Sequence, residues 1–263
     1  MKALITGASE GIGRAFAKKL AKEGYEITAV ARNEKRLKEL IESLGNAHHT
    51  YLVANLSRKD GIQNIAQNIF QTHYDLLINN AGFGLYSSFQ DTPLDKLHEM
   101  VSLNCLALME LSYAFIQNAQ PGDILLNVSS VLSFIPFPFN GVYAASKAFV
   151  TSFSESLAYE QKEKGIAVIA LCPGVTETQF HVRATNGGEK TMRSKIRMQT
   201  PAQVVERAFK AIQSKSSGVV IPGVQNKVMT ELVRFMPRSS LLSMVGKVAK
   251  KVLPTAPHKP NFS

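Results

Sequence analysis

The sequence predicts an α/β protein: a doubly wound parallel sheet with helices on both faces and a helical extension at the C-terminal end. Three observations carry this. Short apolar runs alternate with amphipathic segments over the first two thirds of the chain, the pattern of successive βαβ units. Several of those runs are apolar at nearly every position, as strands buried on both faces are. A glycine-rich turn follows the first run and opens the first amphipathic segment.

Taken in order, strands are expected at 2–6, 26–31, 50–54, 76–79, 123–128, 167–171 and 218–221. The run Ala3-Leu4-Ile5 carries the first, and the later ones repeat the same short apolar character. Helices are expected between them at 11–23, 34–43, 60–71, 94–118, 142–163 and 202–214, the last opened by Pro201 at a favoured first-turn position. The connection 173–200 shows no clear pattern, and a loop of that length in a compact domain reads as a lid. Residues 1–225 thus form one nucleotide-binding-sized domain, and 226–263 a separate tail. The tail reads as two helices, 226–236 and 240–253, separated by Pro237. Leu241, Val245, Val248 and Val252 fall on one face of the second, opposite Lys247, Lys250 and Lys251. Such a helix packs on its own body, packs on a second subunit, or lies on an anionic membrane.

Composition narrows the function classes. The 263 residues are 45% apolar and 19% charged, which excludes a disordered polymer and a disulfide scaffold. Cys105 and Cys172 have neither framework nor metal-ligand spacing, so no metal site is expected and a reducing, cytoplasmic compartment is. No apolar run reaches the roughly 18 residues of a spanning helix, and the first residues show no secretory pattern. The formal charge of +10 is confined to two places: 181–200 carries +4 and 226–263 carries +6, leaving the remainder neutral. A basic lid and tail on a neutral body suit an anionic ligand group or a membrane surface rather than nucleic acid. Plain solvated surface accounts for the tail equally well.

Four segments carry chemistry. Thr6-Gly7-Ala8-Ser9-Glu10-Gly11-Ile12-Gly13 lets the backbone turn tightly and approach a pyrophosphate, with a helix N-terminus behind it. Arg32 stands nineteen residues past Gly13 at the end of the second strand, with no acid there to take ribose hydroxyls. Arg32, with Lys35 or Arg36, therefore favours NADP(H) over NAD(H). Tyr143 and Lys147 are one helical turn apart, and an ammonium beside a phenol is expected to lower its pKa. Ser130 ends the fifth strand thirteen residues before Tyr143, where an open parallel sheet binds ligands. The pleat points its neighbour Ser129 the other way.

Together these segments, with Asn79-Asn80-Ala81-Gly82, Asn104 and Pro173-Gly174, resemble the short-chain dehydrogenase/reductase family in its single-domain branch, over residues 1–225. The resemblance implies a Rossmann-type fold and a proton-donating Tyr143. It implies that Lys147 lowers the phenol pKa and holds the nicotinamide ribose, that Ser130 orients the carbonyl, and that Asn104 holds a water linking Lys147 to solvent. Cofactor contacts are implied for Gly7, Ser9, Glu10, Gly11, Ile12, Gly13, Arg32, Asn55, Leu56, Asn80, Ala81, Gly82, Pro173, Gly174 and Thr178, beside Tyr143 and Lys147. Two positions depart from the family pattern: Asn55 stands where an Asp is usual, and Thr176 where an apolar residue is usual. Helices near 94–118 and 142–163 commonly build subunit interfaces in the family, so a homodimer or homotetramer is implied.

The substrate is read from apolar segments. Leu85, Tyr86, Leu132, Phe134, Phe137 and Phe180 are candidate pocket residues for a lipid-like, steroid-like or aromatic carbonyl compound or alcohol. A loop packed on the body or an oligomer interface explains Phe134–Phe139 equally well. Body and tail are more distantly similar to reductases of long-chain 3-oxoacyl thioesters and 17β-hydroxysteroids. The expected function is an NADP(H)-dependent oxidoreductase; the alternative is an NADP(H)-binding regulatory protein without turnover.

Overall fold

The computed structural model describes residues 1–45, 48–184 and 198–250. Seven strands form one sheet: β1 (Lys2–Thr6), β2 (Glu26–Ala31), β3 (Thr50–Val53), β4 (Leu76–Asn79), β5 (Ile124–Val128), β6 (Ala167–Leu171) and β7 (Gly218–Val220). Their order is β3-β2-β1-β4-β5-β6-β7, and every pairing is parallel. Every residue of β4, β5 and β6 is buried, which is why those segments are continuous apolar runs. The edge strands β3 and β7 are half-exposed. The winding direction reverses between β1 and β4, the switch point at which such sheets bind ligands.

Helices cover both faces. On one, α1 (Gly11–Lys22), α2 (Glu34–Glu42) and α8 (Pro201–Gln213) bury Phe16, Leu20, Leu37, Val204 and Phe209 against the sheet. Thr200 and Gln203 close a reciprocal capping box at the start of α8. On the other face α3 (Lys59–Gln71) and α5 (Leu108–Asn118) bury Ile65, Ile69, Leu111 and Phe115. The catalytic-motif helix α6 (Gly141–Glu160) joins them through Ala158.

Several sequence expectations are corrected. Residues 94–118 are helical throughout, but α4 (Leu94–Val101) and α5 are joined by a π-helical turn, Ser102–Ala107, around Asn104. This 25-residue helix is long and apolar enough to cross a membrane by length and composition, which the run-length reading missed because polar residues interrupt it. Half of its most apolar window is buried inside the fold, as in a core helix. The segment 173–200 is not structureless where it is described: α7 (Gln179–Ala184) lies in it, and Thr176 bridges Gln199. The basic residues Lys190, Arg193, Lys195 and Arg197 of the expected lid lie outside the described residues, as do 251–263.

The tail forms α9 (Val224–Arg234) and α10 (Arg238–Lys250). Val233, Leu241 and Val245 are buried with Ile135, and Phe134, Phe137 and Met236 pack around them. Asn226 donates hydrogen bonds to Pro222 O (2.7 Å) and Gln199 (3.2 Å). A Cβ at Gly174 would stand 2.5 Å from Asn226, so α9 is fitted directly onto the Pro173-Gly174 turn.

The glycine turn is as tightly fitted. A Cβ at Gly13 would collide with the Gly7 carbonyl and stand 2.5 Å from Asn80 Nδ2. Gly13→Ala is expected to destabilise the protein by about 1–3 kcal/mol, the usual cost of overpacking. The urea midpoint followed by circular dichroism checks this, and an unchanged midpoint would show that α1 can slide.

Candidate active site

Beyond the carboxyl ends of the strands lies a cavity of about 840 Å³. One end is built for a dinucleotide. Gly7 and Gly11 adopt φ of 65° and 54°, conformations that favour glycine. Asn80 ties this turn to β4: its Nδ2 donates to Thr6 O (2.9 Å) and Gly7 O (3.2 Å), and its N–H donates to Thr6 Oγ1 (2.9 Å). Glu10, at the N-cap of α1, makes no side-chain cap, and the first turn of the helix holds no acid. The free N–H groups and the helix dipole at that position suit a phosphate. Gly7, Ser9, Gly11 and Ile12 line the cavity there, as do Ala81 and Gly82 on the β4 side.

Farther along, Arg32, Asn33, Arg36, Asn55 and Leu56 line the same end. Arg36 pairs with Glu10 at 2.6 Å, and Arg32 makes only a loose contact of 3.6 Å with Glu99 while its side chain stays 62% exposed. Asn55 Oδ1 accepts from Ser57 N (3.2 Å) and Ser57 Oγ (2.8 Å). That fixes the amide, with Nδ2 as its remaining polar group.

At the centre, Ser130 from the end of β5 and Tyr143 and Lys147 from α6 meet in the cavity wall. Ser130 Oγ accepts from Leu132 N at 3.1 Å, and its hydroxyl favours the ionised form of Tyr143. Lys147 Nζ, 4% exposed, donates to Val128 O at 2.8 Å and lies 5.7 Å from the Tyr143 ring centroid. Burial pushes the lysine pKa down to about 8. The expected lowering of the phenol pKa is not seen. Burial pushes Tyr143 up, the neighbouring Tyr86 adds to this, and the Ser130 hydroxyl opposes it. Helical spacing reports that two groups are close; it does not report that both are dry.

Ser129 points into the protein, bonded to Lys147 O (2.9 Å) and Thr151 (2.7 Å). Asn79 is likewise internal, donating to Asn127 (3.0 Å) and Ser112 (3.1 Å). Asn104 is buried behind the wall. Its Oδ1 accepts from Phe83 N (3.1 Å), and its Nδ2 donates to Phe83 O (2.9 Å) and Ser146 Oγ (3.0 Å). A Cβ at Gly82 would lie 3.0 Å from Asn104 Oδ1 and 3.4 Å from Lys147 Nζ, so the three meet at one point.

The other end of the cavity is apolar. Tyr86, Leu132, Phe137 and Phe180 line it, with Phe180 stacked at a tilt 5.5 Å from Tyr143 and Phe137 edge-on to Tyr86 at 6.1 Å. Pro173, Gly174 and Thr178 close one side. Asn104, behind the wall, is one of four sequence-predicted residues that do not reach the cavity. Gly13 is taken up by helix–turn packing. Leu85 is absent from the lining although its neighbour Tyr86 is in it. Phe134 turns under the tail, where Arg234 stacks over its ring at 5.8 Å. In their place the tail supplies Met229, Val233, Leu241, Met244, Val245 and Val248. The apolar stripe of α10 was the available signal, but a stripe does not say what it covers.

A cavity that runs from a glycine turn at a helix N-terminus to a buried tyrosine hydroxyl suits a nucleotide-dependent oxidoreductase, and that is the class the fold and site define. The short chain dehydrogenase model matches residues 1–187, and the chain belongs to that family. A 7β-hydroxysteroid dehydrogenase of Mediterraneibacter gnavus is 32% identical over 229 residues, covering 85% of this chain and 86% of that protein. A very-long-chain 3-oxoacyl-CoA reductase of Anas platyrhynchos is 27% identical over 95% of this chain and 80% of that protein. Among solved structures, a short-chain dehydrogenase from Sphingobium yanoikuyae in complex with NADPH superposes with a TM-score of 0.78 at 26% identity, covering 90% of this chain and 97% of that one.

The buried ammonium has a measurable signature. Lys147 titrates at about 8 in the folded chain and near 10.5 unfolded, so between these values the unfolded state binds more protons. Stability from this group therefore rises with pH through that window. The stability of the wild type relative to Lys147→Met is expected to increase by roughly 3 kcal/mol from pH 8 to 10.5. Urea denaturation at several pH values checks this; a flat difference would mean that the lysine is solvated.

Proposed function

We propose that the protein is an NADP(H)-dependent oxidoreductase acting on a ketone or secondary alcohol carried by a hydrophobic substrate of lipid-like, steroid-like or aromatic character. The observation that carries this reading is the single cavity joining Arg32 and Arg36 at one end to an apolar chamber at the other, with the Tyr143 hydroxyl between them. The glycine cradle and the uncapped start of α1 fit a pyrophosphate, and the arginines suit a 2′-phosphate. The NADPH-bound structural relative supports the same choice.

The nicotinamide supplies or takes up the hydride. The chain does the rest. Tyr143, kept protonated by burial, holds the proton that a carbonyl oxygen needs when it is reduced. Ser130 offers a second hydroxyl to that oxygen. Lys147 holds its charge beside the ring and keeps the end of β5 in place through Val128 O. Asn104 acts as a positioning residue through Phe83 and Ser146. The apolar wall supplied by α9 and α10 excludes water and selects the substrate. The 7β-hydroxysteroid dehydrogenase and 3-oxoacyl-CoA reductase relatives support a bulky apolar substrate.

Exposed Leu106, Met109 and Tyr113, with the stacked Phe149 and Phe153 on α6, support a homodimer or homotetramer through these helices. The free thiols of Cys105 and Cys172 support a cytoplasmic setting.

Tyr143→Phe is expected to lower turnover on the order of a hundred- to ten-thousandfold while the NADPH Kd, followed by fluorescence titration, stays within experimental error. NADPH binding by the wild type with no turnover across steroids, 3-oxoacyl thioesters and aromatic diketones would favour the regulatory alternative. Arg32→Ala is expected to weaken NADPH about tenfold or more and to leave NADH unchanged, as loss of a charge-assisted contact does. Equal effects on both cofactors would reject the 2′-phosphate assignment.

A further inference from the structure

We propose that the outer face of α9 docks the protein on an anionic bilayer surface. Val224, Val228, Leu232 and Phe235 are 79%, 51%, 61% and 87% exposed. They recur at helical spacing and form one stripe. The buried Thr230 and Val233 and the half-buried Asn226 lie about 200° away around the axis, on the side that packs on the body. The helix therefore carries an apolar stripe on the side turned away from the body, which its fit to the body does not require. The α10 stripe, which the sequence offered to a membrane, is not the presented one, because Leu241 and Val245 are buried against the cavity.

Charge selects the occupant. Lys227, Arg234, Arg238, Lys247 and Lys250 against Glu231 give the two tail helices +4, on a body that is neutral outside the two basic segments. A second copy meeting this face symmetrically would set +4 against +4. An anionic lipid surface reverses the sign of that interaction while accepting the apolar stripe. Because the inner side of α9 lines the cavity, docking holds the apolar chamber about one helix diameter, roughly 10 Å, from the lipid. The half-exposed Met244 and Val248 line the same cavity from α10.

The test is flotation of the full chain with vesicles of equal parts phosphatidylcholine and phosphatidylglycerol, against pure phosphatidylcholine. It is read without turnover, so it stands or falls separately from the proposed reaction. The wild type is expected to float with the anionic vesicles at low salt and not with the neutral ones. The triple variant Val228→Ser, Leu232→Ser, Phe235→Ser and the double variant Lys227→Glu, Arg238→Glu are each expected to lose binding by more than about tenfold. These positions lie outside the cavity wall, so thermal unfolding and the NADPH Kd should match the wild type and show that the variants are folded. Flotation by the triple variant equal to wild type, or no preference of the wild type for anionic vesicles, would overturn the proposal. So would concentration-dependent self-association that the triple variant abolishes in a protein that binds no vesicle, which would assign the stripe to a second copy.

Discussion

The centre of the cavity is organised by a buried ammonium held on a backbone carbonyl. Lys147 makes no ion pair among the described residues; Val128 O at the end of β5 holds it. This ties the position of α6 to the position of a sheet strand, and with it Tyr143 one turn away. Ser129 reinforces the join by bonding the Lys147 carbonyl, and Asn127 donates to Ser154 at 3.0 Å one layer deeper. A charge left in so dry a place is costly unless its surroundings are fixed. The π-helical turn at Asn104 belongs to the same constraint, since the extra residue brings the amide to Phe83 and Ser146 beside the lysine.

Much of this was legible in the sequence because it is periodic or local. β1, β2, β4 and β6 have the bounds expected from their apolar runs, since a strand buried on both faces leaves no ambiguity of pattern. β5 starts one residue later than expected, at Ile124, with the Asp123 carboxylate accepting from Gln120 N at 2.7 Å and contacting His73 at 2.8 Å in the turn before it. The grouping of Ser130, Tyr143 and Lys147 follows from one strand end and one helical turn. What was illegible depends on tertiary placement. Phe134 and Phe137 are three residues apart in one apolar loop, yet one lies under the tail and the other in the cavity. The direction of the Tyr143 shift was hidden for the same reason, because dryness comes from Phe180 and the surrounding walls rather than from the motif.

The two ends of the cavity are built from different parts of the chain. The glycine turn and the arginines come from the first quarter, and the cap over the apolar chamber comes largely from the last segment, with the Tyr143 hydroxyl between. Substitutions that reshape the apolar chamber through Met229, Met244 or Val248 leave the glycine turn and the β5–α6 join untouched. Such a division lets one reaction serve substrates of different shape, which is how a single fold hosts many specificities.

Asn226 has a mechanical consequence. It spans the boundary between these two halves, fitted against Gly174 on the cofactor side and bonded to Gln199 and Pro222 at the root of α9. Lifting α9 away from the chamber strains the same Pro173-Gly174 turn that lines the cavity, so the tail and that wall share one mechanical support. The turn wall and the apolar cap therefore hang on one side chain, and neither can shift without loading the other.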